Sequence, residues 1–289
     1  MSNADVIARL GLRPVSQTLH HRRRIIISSV GWQKSGKSDF LLSCPKPLMA
    51  LDYDTGMEEL LANPRFAGQL DSTYRVDMRY PWQLEPSGAL TDATVKAAKE
   101  NVERFKKLYT EGVVSGAFRT VGIDNGHALL NAFRAARLGK NISIFGGVDA
   151  KQYGPVNTEF EELLKLAYDH DTNVVITHRY EDRFVLEKNK DPETGKLEQF
   201  KLKGYKDIKY VTQVHIEHLK DYDSRDLRVR IVECRQNNRA ENMEFAVEFL
   251  DDDTCAMLDV PQGSSTGGTF LDVARAVFPQ STDSDWLGE

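Results

Sequence analysis

Short runs of apolar and β-branched residues recur along the first 180 residues, and polar residues follow each run. The four runs are residues 25–30, 48–51, 120–123 and 173–177. Short continuous apolar runs of this kind are typical of strands that are buried on both faces. The sequence therefore predicts four buried strands whose ends carry the polar residues.

Helical spacing of apolar residues separates these strands. Residues 92–108 carry apolar side chains at intervals of three and four, which predicts an amphipathic helix. Another helix is expected to begin near Thr158, because Thr158 and Glu161 have the spacing of a capping box. A further helix is expected to open at residues 39–42. Strands that alternate with helices predict an α/β fold in which a parallel sheet is flanked by helices.

The pattern changes after the fourth strand. Residues 184–186 and 200–202 flank a segment with Pro and Gly, and residues 209–217 and 228–233 alternate between apolar and polar. This predicts antiparallel β-hairpins appended to the sheet. We therefore divide the chain into an arm (1–23), a core domain (24–260) whose hairpin extension covers about 183–235, and a C-terminal segment (261–289). That last segment is expected to hold a flexible linker, a short helix and an acidic tail.

Composition narrows the classes of protein. The chain has 289 residues, 40% hydrophobic and 28% charged, with a net charge of -5, which excludes wholesale disorder. Three cysteines are too few for a disulfide framework or a zinc site. No apolar run approaches the roughly 20 residues that cross a membrane. We therefore expect a cytoplasmic protein with no membrane partner. Its mild negative charge argues against nucleic-acid binding over the whole surface, but it is compatible with a local basic groove.

Residues 31–38 match the phosphate-loop pattern G-x-x-x-x-G-K-[ST] at every defined position. Such a loop cradles phosphates with backbone N–H groups, and the following helix adds its positive N-terminus. We expect Lys37 to reach the β- and γ-phosphates of ATP and the Ser38 hydroxyl to bind Mg²⁺. The residues expected to line the nucleotide site are Gly31, Trp32, Gln33, Lys34, Ser35, Gly36, Lys37, Ser38 and Asp39.

Two strand ends carry candidate carboxylates. Asp124 follows a buried strand and is expected to support Mg²⁺ together with Ser38, which is the Walker B role. Asp54 follows the second strand, which is expected to run near the phosphate loop, and is our candidate for the general base. Capping and solvation of turns is the alternative role for Asp52 and Asp54.

The order of these motifs resembles the RecA-like ATPases and, more narrowly, the phage nucleotide-binding AAA domain family. The residues that carry the resemblance are 31–38, 52–56, 123–125, 153–154 and 175–178, and it covers about residues 24–235. It implies ATP, Mg²⁺, self-assembly into a ring or filament, and a role on DNA in phage recombination (single-strand annealing) or replication in the host cytoplasm. It also implies that Asp54 is the base, with Asp52 in support, and that His178 is a polar sensor of the γ-phosphate. Asp54 stands where that family usually has Glu, and Asn125 stands where many related motors carry a catalytic Glu.

Basic residues after the fourth strand are candidates for a finger that completes a neighbour's site or for contacts to single-stranded DNA. They are Arg179, for which contact with phosphate is the alternative, and Lys201, Lys203, Lys206 and Lys209, with Tyr205 among the lysines and Tyr210 directly after them. A solvated hairpin edge guarded by lysines is the alternative. The acidic tail with Trp286 either binds a protein partner or only adds solubility. Two other functions stay open, a nucleotide-dependent switch or assembly module with little turnover, and a P-loop kinase for a small molecule.

Overall fold

A computed structural model describes residues 24–142, 150–182, 200–203, 205, 207–221, 226–258 and 265–287. The strands are β1 (Ile26–Gly31), β2 (Leu48–Asp52), β3 (Thr73–Asp77), β4 (Thr120–Asp124), β5 (Asn173–Asp182), β6 (Phe200–Lys203), β7 (Val214–Lys220), β8 (Leu227–Cys234), β9 (Glu244–Phe249) and β10 (Ser265–Thr266). The helices are α1 (Lys37–Leu42), α2 (Gly56–Leu61), α3 (Asp92–Val114), α4 (Gly126–Leu138), α5 (Ala150–Lys165), α6 (Ile208–Val211), α7 (Asp252–Met257), α8 (Phe270–Val277) and α9 (Asp283–Leu287). In these residues no helix is long and apolar enough to cross a membrane.

One sheet runs through the described residues in the order β10-β9-β8-β7-β1-β5-β4-β2-β3, and β6 pairs with the end of β5. Pairing is parallel from β3 through β2, β4, β5 and β1 to β7, and antiparallel from β7 to β10. The predicted α/β fold with antiparallel strands appended to a mostly parallel sheet is therefore confirmed.

Two hydrophobic clusters cover the two faces of the sheet. One joins the sheet to α3, α4 and α5 through Phe105, Phe133 and Phe160. The other joins it to α1 and α8 through Leu41 and Phe270. Because side chains alternate along a strand, the neighbours Ile26 and Ile27 of β1 enter different clusters. Helices on both faces explain why the parallel strands are apolar at consecutive positions.

Several elements differ from the sequence prediction. Strand β3 lies at one edge of the sheet in a region where the apolar pattern is weak. Lys209 belongs to the short helix α6 and not to a strand. Helix α5 begins at Ala150, ahead of the predicted cap at Thr158. The arm (1–23) and residues 183–199 of the predicted hairpin lie outside the described residues.

The C-terminal segment is more ordered than predicted. Ser265 and Thr266 form β10, which pairs with β9 in the segment predicted to be a flexible linker. Trp286 is only 4% exposed, packs against Phe270 and Phe278, and donates from Nε1 to the Ser281 hydroxyl. The expectation that Trp286 lies in a solvated tail open to a partner is therefore wrong, because its indole fills the second hydrophobic cluster.

Candidate functional site

The phosphate loop joins β1 to α1 and has two positions that require glycine. Gly36 has a φ of 89°, in the left-handed region that side chains disfavour. At Gly31 a Cβ atom would lie 2.5 Å from the Ser35 hydroxyl oxygen and 2.9 Å from the carbonyl oxygen of His218 on β7. The loop therefore folds tightly against its neighbour strand, as a phosphate cradle must.

The Lys37 side chain is 9% exposed and lies over this loop. Its Nζ donates to the carbonyl oxygen of Trp32 at 2.5 Å and to the Ser35 hydroxyl at 3.4 Å. Burial lowers the pKa of Lys37 to about 8, a shift that nearby Asp124 opposes and Arg179 reinforces. A phosphate anion at this position would favour the charged ammonium.

Asp124 is buried at the end of β4 and accepts two hydroxyl hydrogen bonds. Ser38 Oγ donates to Asp124 Oδ2 at 2.8 Å, and Thr177 Oγ1 donates to Asp124 Oδ1 at 2.5 Å. Ser38 and Asp124 thus stand side by side, as oxygen ligands of a shared Mg²⁺ must. Sequence analysis missed Thr177, although it is the last residue of the apolar run that forms the neighbouring strand.

Asp52 and Asp54 have different surroundings. Asp52 is fully buried at the end of β2, where its Oδ1 accepts the backbone N–H of Asp54 at 2.9 Å. Its Oδ2 accepts a hydrogen bond from Arg75 Nε of β3 at 2.7 Å. Burial raises the pKa of Asp52 to about 6, and Arg75 limits the rise. Asp52 therefore positions the Asp54 backbone, whereas the Asp54 side chain is 29% exposed.

These groups surround one cavity of about 480 Å³. Its wall includes loop residues 33–39, residues 54–56, Asp124 and Asn125, Arg179 of β5, and the apolar Leu227 and Phe249. The Asn125 side chain caps α4 by accepting the N–H of Ala128 at 2.8 Å, so it holds the helix in place. Lysine, hydroxyl and carboxylate groups thus converge on one volume beside the phosphate loop.

Three predicted residues of the nucleotide site lie apart from this wall, namely Gly31, Trp32 and His178. Trp32 is half-buried and packs its ring against Tyr180, with centroids 5.9 Å apart. His178 is fully buried, and a Cβ atom on Gly126 would lie 2.7 Å from its ring. Among the described residues neither ring nitrogen of His178 has a hydrogen-bond partner, and burial lowers its pKa to about 3.

The structure thus places His178 apart from the cavity wall, and its role as a sensor stays a prediction. Side chains alternate along β5, so Thr177 and Arg179 point toward Asp124 and the cavity while His178 packs against the start of α4. Arg179, expected as a finger toward a neighbour or DNA, lines the cavity of its own chain. Lys203 lies on β6, opposite Arg179 in the antiparallel pairing, and Lys206 lies outside the described residues.

Comparison with known proteins does not identify a family for this chain. No family model matches the sequence, and no curated protein matches it. Among solved structures the chain is similar to the RadB recombinase, with a TM-score of 0.46, 13% identity, and coverage of 78% of this chain and 87% of that one. The narrower resemblance to the phage family stays a prediction, and the site is defined by the geometry of this chain.

Proposed function

We propose that the protein is a Mg²⁺-dependent, RecA-like P-loop ATPase that acts on DNA. One observation carries the nucleotide part of the proposal, the hydrogen bond between Ser38 of the phosphate loop and Asp124 at the end of β4, beside Lys37. A phosphate loop, a hydroxyl and a strand-end carboxylate are the parts that bind a nucleoside triphosphate with its metal.

Each part has a chemical task in hydrolysis. The backbone N–H groups of the loop and the Lys37 ammonium would hold the phosphates, and Ser38 and Asp124 would hold Mg²⁺, which neutralises charge on the β- and γ-phosphates when bound. Asp54 would accept a proton from water as the water oxygen bonds to the γ-phosphorus. The bond from that phosphorus to the bridging oxygen then breaks, and its electron pair leaves with ADP, giving ADP and inorganic phosphate.

The role on DNA rests on the resemblance of motif order to RecA-like recombination and annealing proteins. That resemblance also supports self-assembly, with single-stranded DNA as the partner and phage recombination or replication as the setting. Residues 200–203, which carry Lys201 and Lys203, extend the sheet at the end of β5, close to the nucleotide cavity. Such a position would let a bound strand influence the site.

The first experiment is Mg²⁺-dependent ATP hydrolysis by the wild-type protein with and without single-stranded DNA. Lys37→Ala is expected to abolish both hydrolysis and its stimulation. Lys96→Ala is the matched control, because Lys96 is 80% exposed on α3 and far from the loop in sequence. Hydrolysis that DNA does not stimulate would contradict the DNA role, and hydrolysis that survives in Lys37→Ala would contradict the nucleotide site.

One observation favours a second candidate, a nucleotide-dependent switch with little turnover. The Asp54 carboxylate is already paired with Arg179, and Asp is shorter than the Glu that the resembling family uses. Lys37-dependent ATP binding without hydrolysis, with or without DNA, would select the switch. A phosphorylated small molecule among the products would select a kinase instead.

A further inference from the structure

Arg179 and Asp54 form an ion pair inside the nucleotide cavity. Arg179 Nη2 donates to Asp54 Oδ2, and the two side chains are 35% and 29% exposed. The other oxygen, Asp54 Oδ1, accepts the backbone N–H of Thr55 at 2.9 Å. Both carboxylate oxygens of the candidate base are therefore engaged by donors.

The Arg179 guanidinium also lies near the phosphate loop. In the parallel pairing of β1 and β5, Arg179 stands opposite Gly31, the first residue of the loop motif. Its positive charge acts on the Lys37 ammonium, which is one reason that the pKa of Lys37 is lowered. A phosphate that reaches Lys37 would thus also come near Arg179.

A terminal phosphate and the Asp54 carboxylate compete for the same cation. Arginine binds carboxylate and phosphate with similar forked geometry and similar charge-assisted hydrogen bonds, so moving from one to the other is close to balanced. Like charge between Asp54 and a γ-phosphate opposes triphosphate binding, so removal of the Asp54 charge should strengthen that binding. A diphosphate lacks the group that would draw Arg179 away.

We propose that Arg179 is a triphosphate-sensing residue that leaves Asp54 for the terminal phosphate of a nucleoside triphosphate bound by the same chain, which frees Asp54 as the base. This rests on the proposed nucleotide site. Asp52 keeps its hydrogen bond to the Asp54 backbone throughout, so the carboxylate stays in place while its Oδ2 becomes available to water. The base is thereby released only when the bond to be hydrolysed is present.

The proposal makes opposite predictions for the two partners. Arg179→Gln removes a charged phosphate ligand, so triphosphate affinity is expected to fall about ten- to a hundredfold while ADP affinity changes less than about threefold. Asp54→Asn removes the competitor and its negative charge, so triphosphate affinity is expected to rise about three- to tenfold. A residue that served only to hold the fold would alter both nucleotides alike.

The experiment is calorimetric titration with Mg²⁺ and either ADP or the β,γ-imido analogue of ATP, which reports binding without hydrolysis. Arg228→Gln is the matched control, since Arg228 pairs with Glu244 on the antiparallel strands and is 46% exposed. Arg179→Lys serves where Arg179→Gln does not fold, and it is expected to lose part of the preference because the ammonium lacks the forked geometry.

The ratio of ADP to analogue affinity decides the outcome. An equal loss of affinity for both nucleotides in Arg179→Gln would overturn the proposal while leaving the nucleotide site intact. Weaker analogue binding by Asp54→Asn would also overturn it, because removal of a competitor cannot weaken the ligand that it competes with. Failure of the wild-type protein to bind either nucleotide would overturn the nucleotide site itself, and the sensor with it.

Discussion

The parallel and antiparallel parts of the sheet differ in where they place polar residues. Every residue of β1, β2 and β4 is buried. Asp52 and Asp124 lie at the carboxyl ends of β2 and β4, and Thr177 lies within β5. In β8 buried positions alternate with half-buried or exposed ones, and every position of β9 is half-buried or exposed. Helices cover both faces of the parallel part, whereas the antiparallel part leaves one face to solvent.

The parallel part carries the polar groups of the candidate site, and the antiparallel part supports them. Ion pairs of the antiparallel part join exposed side chains across strands, such as Arg228 with Glu244, and exposed pairs of this kind stabilise little. Asp124 of the parallel part is instead buried and accepts hydrogen bonds from Ser38 and Thr177. The antiparallel part contributes Leu227 and Phe249 as an apolar wall of the cavity. Rigid buried strands thus hold the reactive groups, and the solvated strands enclose them.

Shortening one apolar side chain in each part of the sheet should show the largest difference, which is a difference in unfolding free energy. Ile123→Ala in β4 removes a fully buried side chain and is expected to cost about 3 kcal/mol of unfolding free energy. Val247→Ala in β9 removes a partly buried one and is expected to cost about 1 kcal/mol or less. Chemical denaturation measures both. Equal losses would show that the two parts are packed equally well.

A smaller effect is expected from the buried carboxylate Asp52. Its folded pKa of about 6 lies above the unfolded value of 3.8, so the folded state binds more protons between these values. The stability that Asp52 contributes is therefore full below about pH 4 and lost as the pH rises through 6, by at most about 3 kcal/mol. The side chain of the Asp52→Asn variant cannot ionise. Denaturation measurements on this variant should therefore no longer show the loss of stability between pH 4 and pH 6.

The antiparallel part supplies the control for that profile. Glu233 of β8 is 48% exposed and pairs with Lys209, so Glu233→Gln should leave the change between pH 4 and pH 6 in place. A profile for Asp52→Asn that matches the wild type would mean that Arg75 compensates the buried charge completely.

Much of the parallel part could be predicted from the sequence, because its signals are local. The phosphate loop is one contiguous motif, and each buried strand is one apolar run. Strand β3 was not predicted, because this edge strand has only half-buried or exposed positions and so carries no apolar run. The burial of Trp286 was not predicted, because its neighbours in sequence are acidic. The residues that bury it, Phe270 and Phe278, lie earlier in the chain.

The site shows why spacing alone could not decide which side chain at this strand end faces the cavity. The sequence places Thr177, His178 and Arg179 at one strand end, but a one-residue difference decides which face each side chain takes. Pairing of β5 with β1 and β4 sets that choice, and pairing is a property of the whole sheet. The Arg75–Asp52 and Arg179–Asp54 pairs are likewise long-range contacts that no local pattern encodes.

The smallest expected effect separates two lysines of the parallel part, Lys37 and Lys46, whose pKa values burial lowers to about 8. Lys37 lines the cavity, whereas Lys46 donates to the Leu42 carbonyl oxygen at the end of α1. Bound phosphate favours the Lys37 ammonium, so nucleotide affinity should be flat below pH 8 and fall at most about tenfold per pH unit above it.

Calorimetry of the β,γ-imido analogue in two buffers of different ionisation heat should show proton uptake that rises toward one per nucleotide by about pH 9. Lys46→Met should keep this uptake, and Lys37→Arg should remove it because the guanidinium stays charged. Uptake that persists in Lys37→Arg would assign the titrating proton to another group of the cavity.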